Sequence, residues 1–212
     1  MKSAPAEIIK EYGPFPGVTD IHGVTYDGDL VWFASGDRLN TLNPVSGQLQ
    51  DGLDTPAYAG TAFDGTHLFQ IAGDQINRLD PATGAILSSI PTPGEGASGL
   101  AWAEGSLWVG DYPARRIHQI DPETGDILRS IESNRFVTGV TWVDGELWHG
   151  TWQDDRSDLR HVDPDTGNVI ELVEMPDGMG VSGLESDGAD RFYCGGGGSG
   201  KLRAVRRPVK GA

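Results

Sequence analysis

The sequence predicts an all-β protein, a five-bladed β-propeller with four antiparallel strands in each blade. Three observations lead to this fold class. One turn motif recurs at a period typical of propeller blades, a second turn recurs in step with it, and short segments of alternating polarity lie between them. These segments have no helical periodicity, and one blade cannot bury its faces alone. The repeats therefore predict one closed ring.

The first turn motif has the pattern Asp/Asn-Pro-x-Ser/Thr-Gly and occurs four times. Its first residues are Asn43, Asp80, Asp121 and Asp163, at spacings of 37, 41 and 42 residues. The Asp or Asn side chain accepts hydrogen bonds within the turn, proline presets φ, and the final glycine supplies a positive φ. The motif therefore marks a tight turn, which we place between the third and fourth strands of each blade.

The second turn joins the first and second strands of each blade. Its copies are Asp27-Gly28, Asp64-Gly65, Glu104-Gly105, Asp144-Gly145 and Asp187-Gly188. A segment that opens with glycine precedes each copy, and a segment with an aromatic residue follows it. Those aromatic residues are Trp32, Phe69, Trp108, Trp148 and Phe192. Period-two alternation with β-branched and aromatic residues is typical of short strands.

The two faces of the predicted first strands differ in size. One face carries Tyr26, Phe63, Trp102 and Trp142, and the other carries glycine, alanine and threonine. We expect the large face of one blade to pack against the small face of its neighbour. Most of the aromatic residues are then expected to be core residues.

The chain is predicted to be one domain, residues 1–212. The approximate blade bounds are 20–55, 56–94, 95–133, 134–177 and 178–207. The fifth repeat has only three predicted strands, the last of them at 201–207. Residues 7–12 form a lone predicted strand before the first repeat, and we expect this strand to fill the missing place. Such closure would hide the sheet edges of the ring.

Composition limits the function classes. The formal net charge is −15, from 31 acidic and 16 basic residues. This charge disfavours nucleic acid or an anionic membrane as partner, because both bind through Lys and Arg, and it is compatible with a cationic ligand. The single cysteine, Cys194, excludes an internal disulfide and has no activating base near it in sequence. No signal peptide or membrane span is recognisable, so a cytoplasmic protein is expected.

The rim that joins second to third strands, and each blade to the next, is the expected location of a site. Its loops differ in length and composition, whereas the turns of the other rim repeat. Variable loops on a repeated scaffold are the usual carriers of function. We therefore expect any site at the mouth of the central channel on the variable rim.

Two histidines break the repeat and are candidate catalytic residues or metal ligands. His22 precedes the first-strand glycine, where the other blades have small residues, and His149 follows Trp148. Either could act as a general base, or both could hold a divalent metal with nearby carboxylates. The candidate carboxylates are Asp20, Asp111 and Asp154. The alternative for His22 is a polar residue that caps a channel water.

Four further residues complete the candidate set. Trp152 lies in a long loop beside carboxylates, where it could bind a cationic or flat ligand, or simply pack against the neighbouring blade. Tyr58 and Arg135 lie in blade-to-blade connections on the same rim and could contribute polar contacts. Glu185 replaces a small residue on a first strand, so its carboxyl group could have a raised pKa and act in catalysis, or form a salt bridge.

The blade pattern resembles that of the glutamine cyclotransferase-like and virginiamycin B lyase-like propellers. The 150–152 segment, Gly-Thr-Trp, looks like the Leu-Thr-Trp element that lines the pocket of the plant-type glutaminyl cyclases. The 20–24 segment stands in the place of their Phe-Thr-Gln-Gly-Leu opening, and His22-Gly23 resembles the His-Gly opening of the lyases. Two elements of the cyclases are absent from this sequence. The cyclases have a carboxylate in the strand that corresponds to 32–36, where this chain has none. Their Glu-Gly-Trp-Gly-Leu is replaced by Gly-Val-Ser-Gly-Leu at 180–184.

Three functions remain open from the sequence. The first is a small-molecule site at the channel mouth, with metal-assisted lyase or hydrolase chemistry. There His22 or His149 would act as base or ligand, and Trp152 and Tyr58 would hold the substrate. The second is a non-catalytic module that binds a ligand or peptide at the same mouth. The third, implied by the resemblance, is a glutaminyl cyclase relative with altered catalytic groups.

Overall fold

The computed structural model describes residues 2–209, which form a five-bladed β-propeller without helices. Strands β1 (Lys2–Pro5) and β2 (Ile8–Tyr12) precede the first blade. Blade 1 contains β3 (Val24–Tyr26), β4 (Val31–Ala34), β5 (Gly36–Leu42) and β6 (Leu49–Ala57). Blade 2 contains β7 (Thr61–Phe63), β8 (Leu68–Ala72), β9 (Gln75–Leu79) and β10 (Ile86–Pro91).

The remaining blades follow the same order. Blade 3 contains β11 (Ala97–Ala103), β12 (Ser106–Asp111), β13 (Arg116–Ile120) and β14 (Ile127–Glu132). Blade 4 contains β15 (Val137–Val143), β16 (Glu146–Thr151), β17 (Asp158–Val162) and β18 (Val169–Glu174). Blade 5 contains β19 (Gly183–Ser186), β20 (Arg191–Gly195) and β21 (Leu202–Arg206). Within the described residues, no helix is long and apolar enough to cross a membrane.

The N-terminal strand closes the ring, as the sequence predicts. Strand β2 pairs antiparallel with β21, with Tyr12 opposite Leu202, and so supplies the fourth strand of blade 5. Tyr12 is buried, and its hydroxyl donates to the Pro44 carbonyl of blade 1 at 2.8 Å. The strand therefore joins the last blade to the first.

Strand β1 was not expected from the sequence. It pairs parallel with β18 and adds a fifth strand to the outer edge of blade 4. Its side chains are exposed, so no apolar alternation marks it in the sequence. The N-terminal segment thus crosses from one blade edge to the next.

Five glycines at the start of the innermost strands bring the blades together at the centre. A Cβ on Gly60 would stand 2.5 Å from the Leu100 amide nitrogen, and one on Gly99 would stand 2.5 Å from the Thr138 carbonyl oxygen. Gly23, Gly139 and Gly183 meet the backbone of the next blade in the same way. Glycine recurs at this position because any side chain would push adjacent blades apart.

The aromatic residues lie between blades, also as predicted. Phe69 stacks on Trp102 of blade 3, and Trp108 stacks on Trp142 of blade 4, each with ring centroids 5.4 Å apart. The second strands are nearly wholly buried. These aromatic residues therefore belong to the scaffold.

One expected register is wrong. The repeat in the sequence aligns Phe192 with Trp148, but the structure pairs Tyr193 with Glu185 as it pairs Trp148 with Thr141. The turn in blade 5 is one residue longer, since Asp187 bonds across it to Arg191. Tyr193 therefore occupies the inter-blade aromatic position, which becomes important below.

Candidate functional site

The mouth of the channel on the variable rim is a continuous depression. Two adjoining cavities, of about 410 and 340 Å³, share Tyr112, Thr138 and Ser182 as lining residues. The larger is also lined by Trp152, Gly178, Gly180, Val181 and residues 196–199. The smaller is also lined by His22, Tyr58, Ala59, residues 96–98 and Pro113. A cavity of this size fits a small organic molecule.

Trp152 forms one wall of the larger cavity. The residue is half-buried, and its indole lies against Gly180, where a Cβ would stand 3.2 Å from Trp152 Cζ3. The indole packs on the neighbouring connection with one part and lines the cavity with another.

Tyr112 forms the shared wall and was missed in the sequence. Its ring stacks on Phe136, with centroids 4.8 Å apart. Tyr112 follows Gly110 by two residues, as Trp152 follows Gly150, so the two aromatic residues occupy equivalent positions in blades 3 and 4. An alignment of these two loops could have found it.

His22 and Tyr58 lie on the other side of the depression. His22 is half-buried, and among the described residues no hydrogen bond reaches its imidazole, although its carbonyl accepts one from Ser182. Tyr58 is 54% exposed. Both side chains can therefore contact a ligand in the depression.

The glycine-rich loop after β20 forms the floor beside Trp152. The Ser182 hydroxyl donates to the Ile21 carbonyl and accepts from the Gly197 amide at 3.0 Å, which ties the loop to blade 1. Asp20 is exposed beside this floor, where a Cβ on Gly198 would stand 3.4 Å from Asp20 Oδ1. Asp20 thus places a negative charge at the edge of the depression.

The structure does not bring His149 to the mouth. The side chain is 1% exposed inside blade 4 and contacts the Gly150 carbonyl at 3.1 Å. Burial lowers the pKa of its imidazole to about 4, so the residue is neutral at physiological pH. His149 therefore lies apart from the depression that His22 lines, because its side chain is buried in the sheet packing of blade 4.

The side chains of Asp111 and Arg135 stabilise loops through hydrogen bonds. Asp111 is buried, and its carboxylate accepts from the Ala114 amide at 3.2 Å. Arg135 donates to Asp158 at 2.6 Å and to the Gln153 carbonyl at 3.2 Å, which anchors the loop that carries Trp152. Neither side chain lines the depression.

Asp154 lies at the exposed tip of the Trp152 loop, with a φ of 55°. Within residues 2–209, no group of three His, Cys, Asp or Glu side chains is arranged to hold a metal ion.

Glu185 lies deeper, in the central channel. Thr25 of blade 1 donates to Oε2 at 2.9 Å, Thr141 of blade 4 donates to Oε1, and the Ser186 amide donates to Oε1 at 2.8 Å. Protein surrounds its carboxyl group, and this burial raises the pKa to about 7. Its partners among the described residues are hydroxyl and amide groups.

Comparison with known proteins supports the fold. No family model matches the chain, and no curated protein matches it by sequence. The glutaminyl cyclase of Myxococcus xanthus superposes with a TM-score of 0.78 at 18% identity, with 97% of each chain covered. The WD40 propeller of Doa1 gives a TM-score of 0.56 at 15% identity, covering 87% of this chain and 63% of that one. Hydrazine synthase of Kuenenia stuttgartiensis gives 0.53 at 16% identity, covering 84% and 56%.

The likeness to the cyclase extends over nearly the whole of both chains. The other two similarities concern parts of longer chains. This chain is therefore similar in fold to the Myxococcus xanthus glutaminyl cyclase, as a five-bladed β-propeller.

Proposed function

We propose that this protein binds a small molecule at the mouth of its central channel. The proposal depends on one observation: His22, Tyr58 and Trp152, from three places on the ring, line one continuous depression. Its volume is in the range of ligand pockets, and its walls are mostly apolar or aromatic with a few polar groups, as such pockets usually are.

The charge and chemistry of the walls favour a ligand with a primary amine. The indole of Trp152 can stack on a cation or a flat group. Asp20 lies at the edge of the depression, and the protein as a whole carries a net charge of −15, which attracts cations. The imidazole of His22 can bind a polar group at the other end. These features fit a molecule the size of one or two amino-acid residues.

A second candidate function is cyclisation of an N-terminal glutamine, favoured by the fold shared with the Myxococcus xanthus cyclase. In this reaction the α-amine attacks the side-chain amide carbon and ammonia leaves. One proton must move from the attacking amine to the leaving nitrogen. His22 is the only lining residue, among those described, with an imidazole or carboxyl group, so His22 would carry this proton.

Calorimetric titration with glutaminyl-phenylalanine amide tests the binding site. The matched ligand is the same dipeptide with its amine acetylated. We expect the free amine to bind more tightly, and Trp152→Ala to weaken binding about tenfold, as loss of an aromatic contact to a cation would do. Leu87→Ala, on the exposed outer strand β10, is the matched control and should bind as the wild type does.

Mass spectrometry of the same mixture separates the two functions. Loss of ammonia from the dipeptide, abolished by His22→Ala, would support the cyclase. Binding without turnover would support the binding module. Equal affinity of the wild type and Trp152→Ala, or no binding of either peptide, would overturn the site.

A further inference from the structure

A third cavity lies on the opposite rim, at the seam between blades 5 and 1. Its volume is about 440 Å³, and three tyrosines line it: Tyr12, Tyr26 and Tyr193. The other lining residues are Ile9, Lys10, Pro44, Val45, Asp187 and Arg191. Pro44 and Asp187 belong to the regular turns, so this cavity opens on the uniform rim.

In two of the other four seams, an arginine fills this position. Between blades 2 and 3, Arg78 covers the Phe69 ring at 5.8 Å and pairs with Glu123 of the next blade at 3.3 Å. Between blades 3 and 4, Arg129 covers the Trp108 ring at 4.9 Å and pairs with Asp165. Each arginine thus joins an inter-blade aromatic ring to a carboxylate in the neighbouring Asp-Pro-x-Thr-Gly turn.

At the blade 5–1 seam, this arrangement is incomplete. Sheet register aligns Trp108, Gln119 and Arg129 in blade 3 with Tyr193, Ala204 and Lys10 in blade 5. Alanine stands in place of Gln119, and Tyr193 lies at the wall of the cavity with the Tyr26 ring 5.6 Å from its own ring.

The acidic member of the pair is also missing. Position x of the turn in blade 1 is Val45, where blades 3 and 4 have Glu123 and Asp165. The Lys10 ammonium reaches this turn but meets the carbonyls of Pro44 and Val45, at 3.3 and 3.1 Å, and the Tyr12 ring. Lys10 therefore has a positive charge without a carboxylate partner among these contacts.

The three tyrosine hydroxyls are not equivalent. Tyr12 donates to the Pro44 carbonyl at 2.8 Å, and Tyr26 donates to the Gly28 carbonyl at 2.7 Å. Tyr193 is 2% exposed, and among the described residues no hydrogen bond reaches its hydroxyl. Burial raises the pKa of Tyr193 to about 12, so the group keeps its proton and can donate to a ligand at neutral pH.

We propose that this seam cavity binds an aromatic carboxylate. The aromatic ring of the ligand lies in the cavity between the side chains of Tyr12, Tyr26 and Tyr193. Its carboxylate binds Lys10 and replaces the missing turn carboxylate. A polar group on the ring accepts the Tyr193 hydrogen bond. Arg191 already pairs with Asp187 at 3.0 Å, which leaves Lys10 as the main contact for the carboxylate.

The cavity is lined by residues from three parts of the chain, which meet where the ring closes. Lys10 belongs to β2, Val45 to blade 1 and Tyr193 to blade 5. A ligand there binds only the closed ring, so it also raises the melting temperature by mass action.

Calorimetric titration with benzoate, 4-hydroxybenzoate and 3-phenylpropionate tests the proposal, with the corresponding neutral amides as matched ligands. We expect carboxylates to bind more tightly than their amides, and 4-hydroxybenzoate to raise the melting temperature. Lys10→Met should weaken binding at least about threefold, the scale of an exposed ion pair. Tyr193→Phe should weaken the binding of 4-hydroxybenzoate about threefold to tenfold, which is the scale of one hydrogen bond.

The sharpest variant is Val45→Glu, at a position that is 87% exposed and tolerant of substitution. It restores the turn carboxylate, which competes for Lys10, and so should weaken carboxylate binding while the fold is kept. Lys201→Met removes a charge from the residue that precedes β21, outside the cavity, and serves as control. Equal binding of carboxylates and amides, no effect of Lys10→Met and Val45→Glu, or no binding of any of the three carboxylates would overturn the proposal.

Discussion

Glu185 accepts a hydrogen bond from the Thr25 hydroxyl at 2.9 Å, and this bond joins the last blade of the ring to the first. Thr141 of blade 4 donates to the other carboxylate oxygen. Three blades thus meet on one carboxyl group in the channel. With a pKa of about 7, this group changes charge near neutral pH at the centre of the ring.

The protonation of Glu185 makes stability depend on pH. Its pKa is about 7 in the folded protein and 4.5 ordinarily, so between these pH values the folded state holds more protons than the unfolded state. The contribution to stability is therefore present below pH 4.5 and is lost as the pH rises to about 7. Glu185→Gln keeps the shape and removes this titration.

We expect Glu185→Gln to gain stability over the wild type as the pH rises from about 5 to 8, by about 1–3 kcal/mol. Urea denaturation at each pH measures this difference, in which the contributions of other groups cancel. Glu95→Gln, at an exposed loop position, is the control and should show no such trend. Parallel stability curves for Glu185→Gln and the wild type would contradict the buried, protonated state.

His149 should give the opposite pH dependence of stability to that of Glu185. Burial lowers the pKa of its imidazole from 6.5 to about 4, so the unfolded chain takes up this proton first as the pH falls. The contribution of neutral His149 to stability is present above pH 6.5 and is lost as the pH falls toward 4. In NMR titrations its ring signals should stay constant from about pH 8 to 5. A midpoint near 6.5 would show that the ring is solvated.

The glycines at the centre should not tolerate a side chain. A Cβ on Gly139 would approach the Leu184 backbone of blade 5 more closely than atoms can, so Gly139→Ala should destabilise the protein by about 3 kcal/mol through overpacking. Gly198→Ala is the matched control, because its Cβ would have ordinary contact with Asp20 at 3.4 Å. Chemical denaturation of both variants measures the difference. Similar stabilities would show that the blades can separate at the centre.

Two N-terminal deletions should show that β2 closes the ring, whereas β1 only covers the outer edge of blade 4. Deletion of residues 1–12 removes β2 and its buried Tyr12, and should lower the melting temperature by at least about 10 °C. Deletion of residues 1–5 removes only β1, whose side chains are exposed, and should have a much smaller effect. Calorimetry of the two truncated proteins tests this. If both melt as the full chain does, β2 does not hold the ring closed.

Local signals were sufficient to predict the fold. Turn chemistry at Asp80 and Gly84, and the alternation around Trp108, depend on near neighbours, so the sequence alone shows them. The register of blade 5 was wrong because one extra turn residue moves Tyr193 into the aromatic position. This shift can be recognised only when the register between β19 and β20 is known.

The candidate site was predicted in part. His22 and Trp152 do line one depression, because both lie on the variable rim. His149 and Asp111 do not line it, because His149 is buried inside blade 4 and Asp111 accepts a hydrogen bond from the Ala114 amide. The seam cavity depends on Lys10, Val45 and Ala204, which come together only through ring closure and sheet register.

The most direct measurement of the central claim, a ligand site at the channel mouth, is amide chemical-shift mapping with glutaminyl-phenylalanine amide. We expect the largest shifts at Gly180, Ser182 and Gly197, around Trp152 and on the floor of the depression. The turns at 80–84 and 121–125, on the opposite rim, should be unchanged. Shifts confined to those turns, or no shifts at saturating peptide, would contradict a site at the mouth.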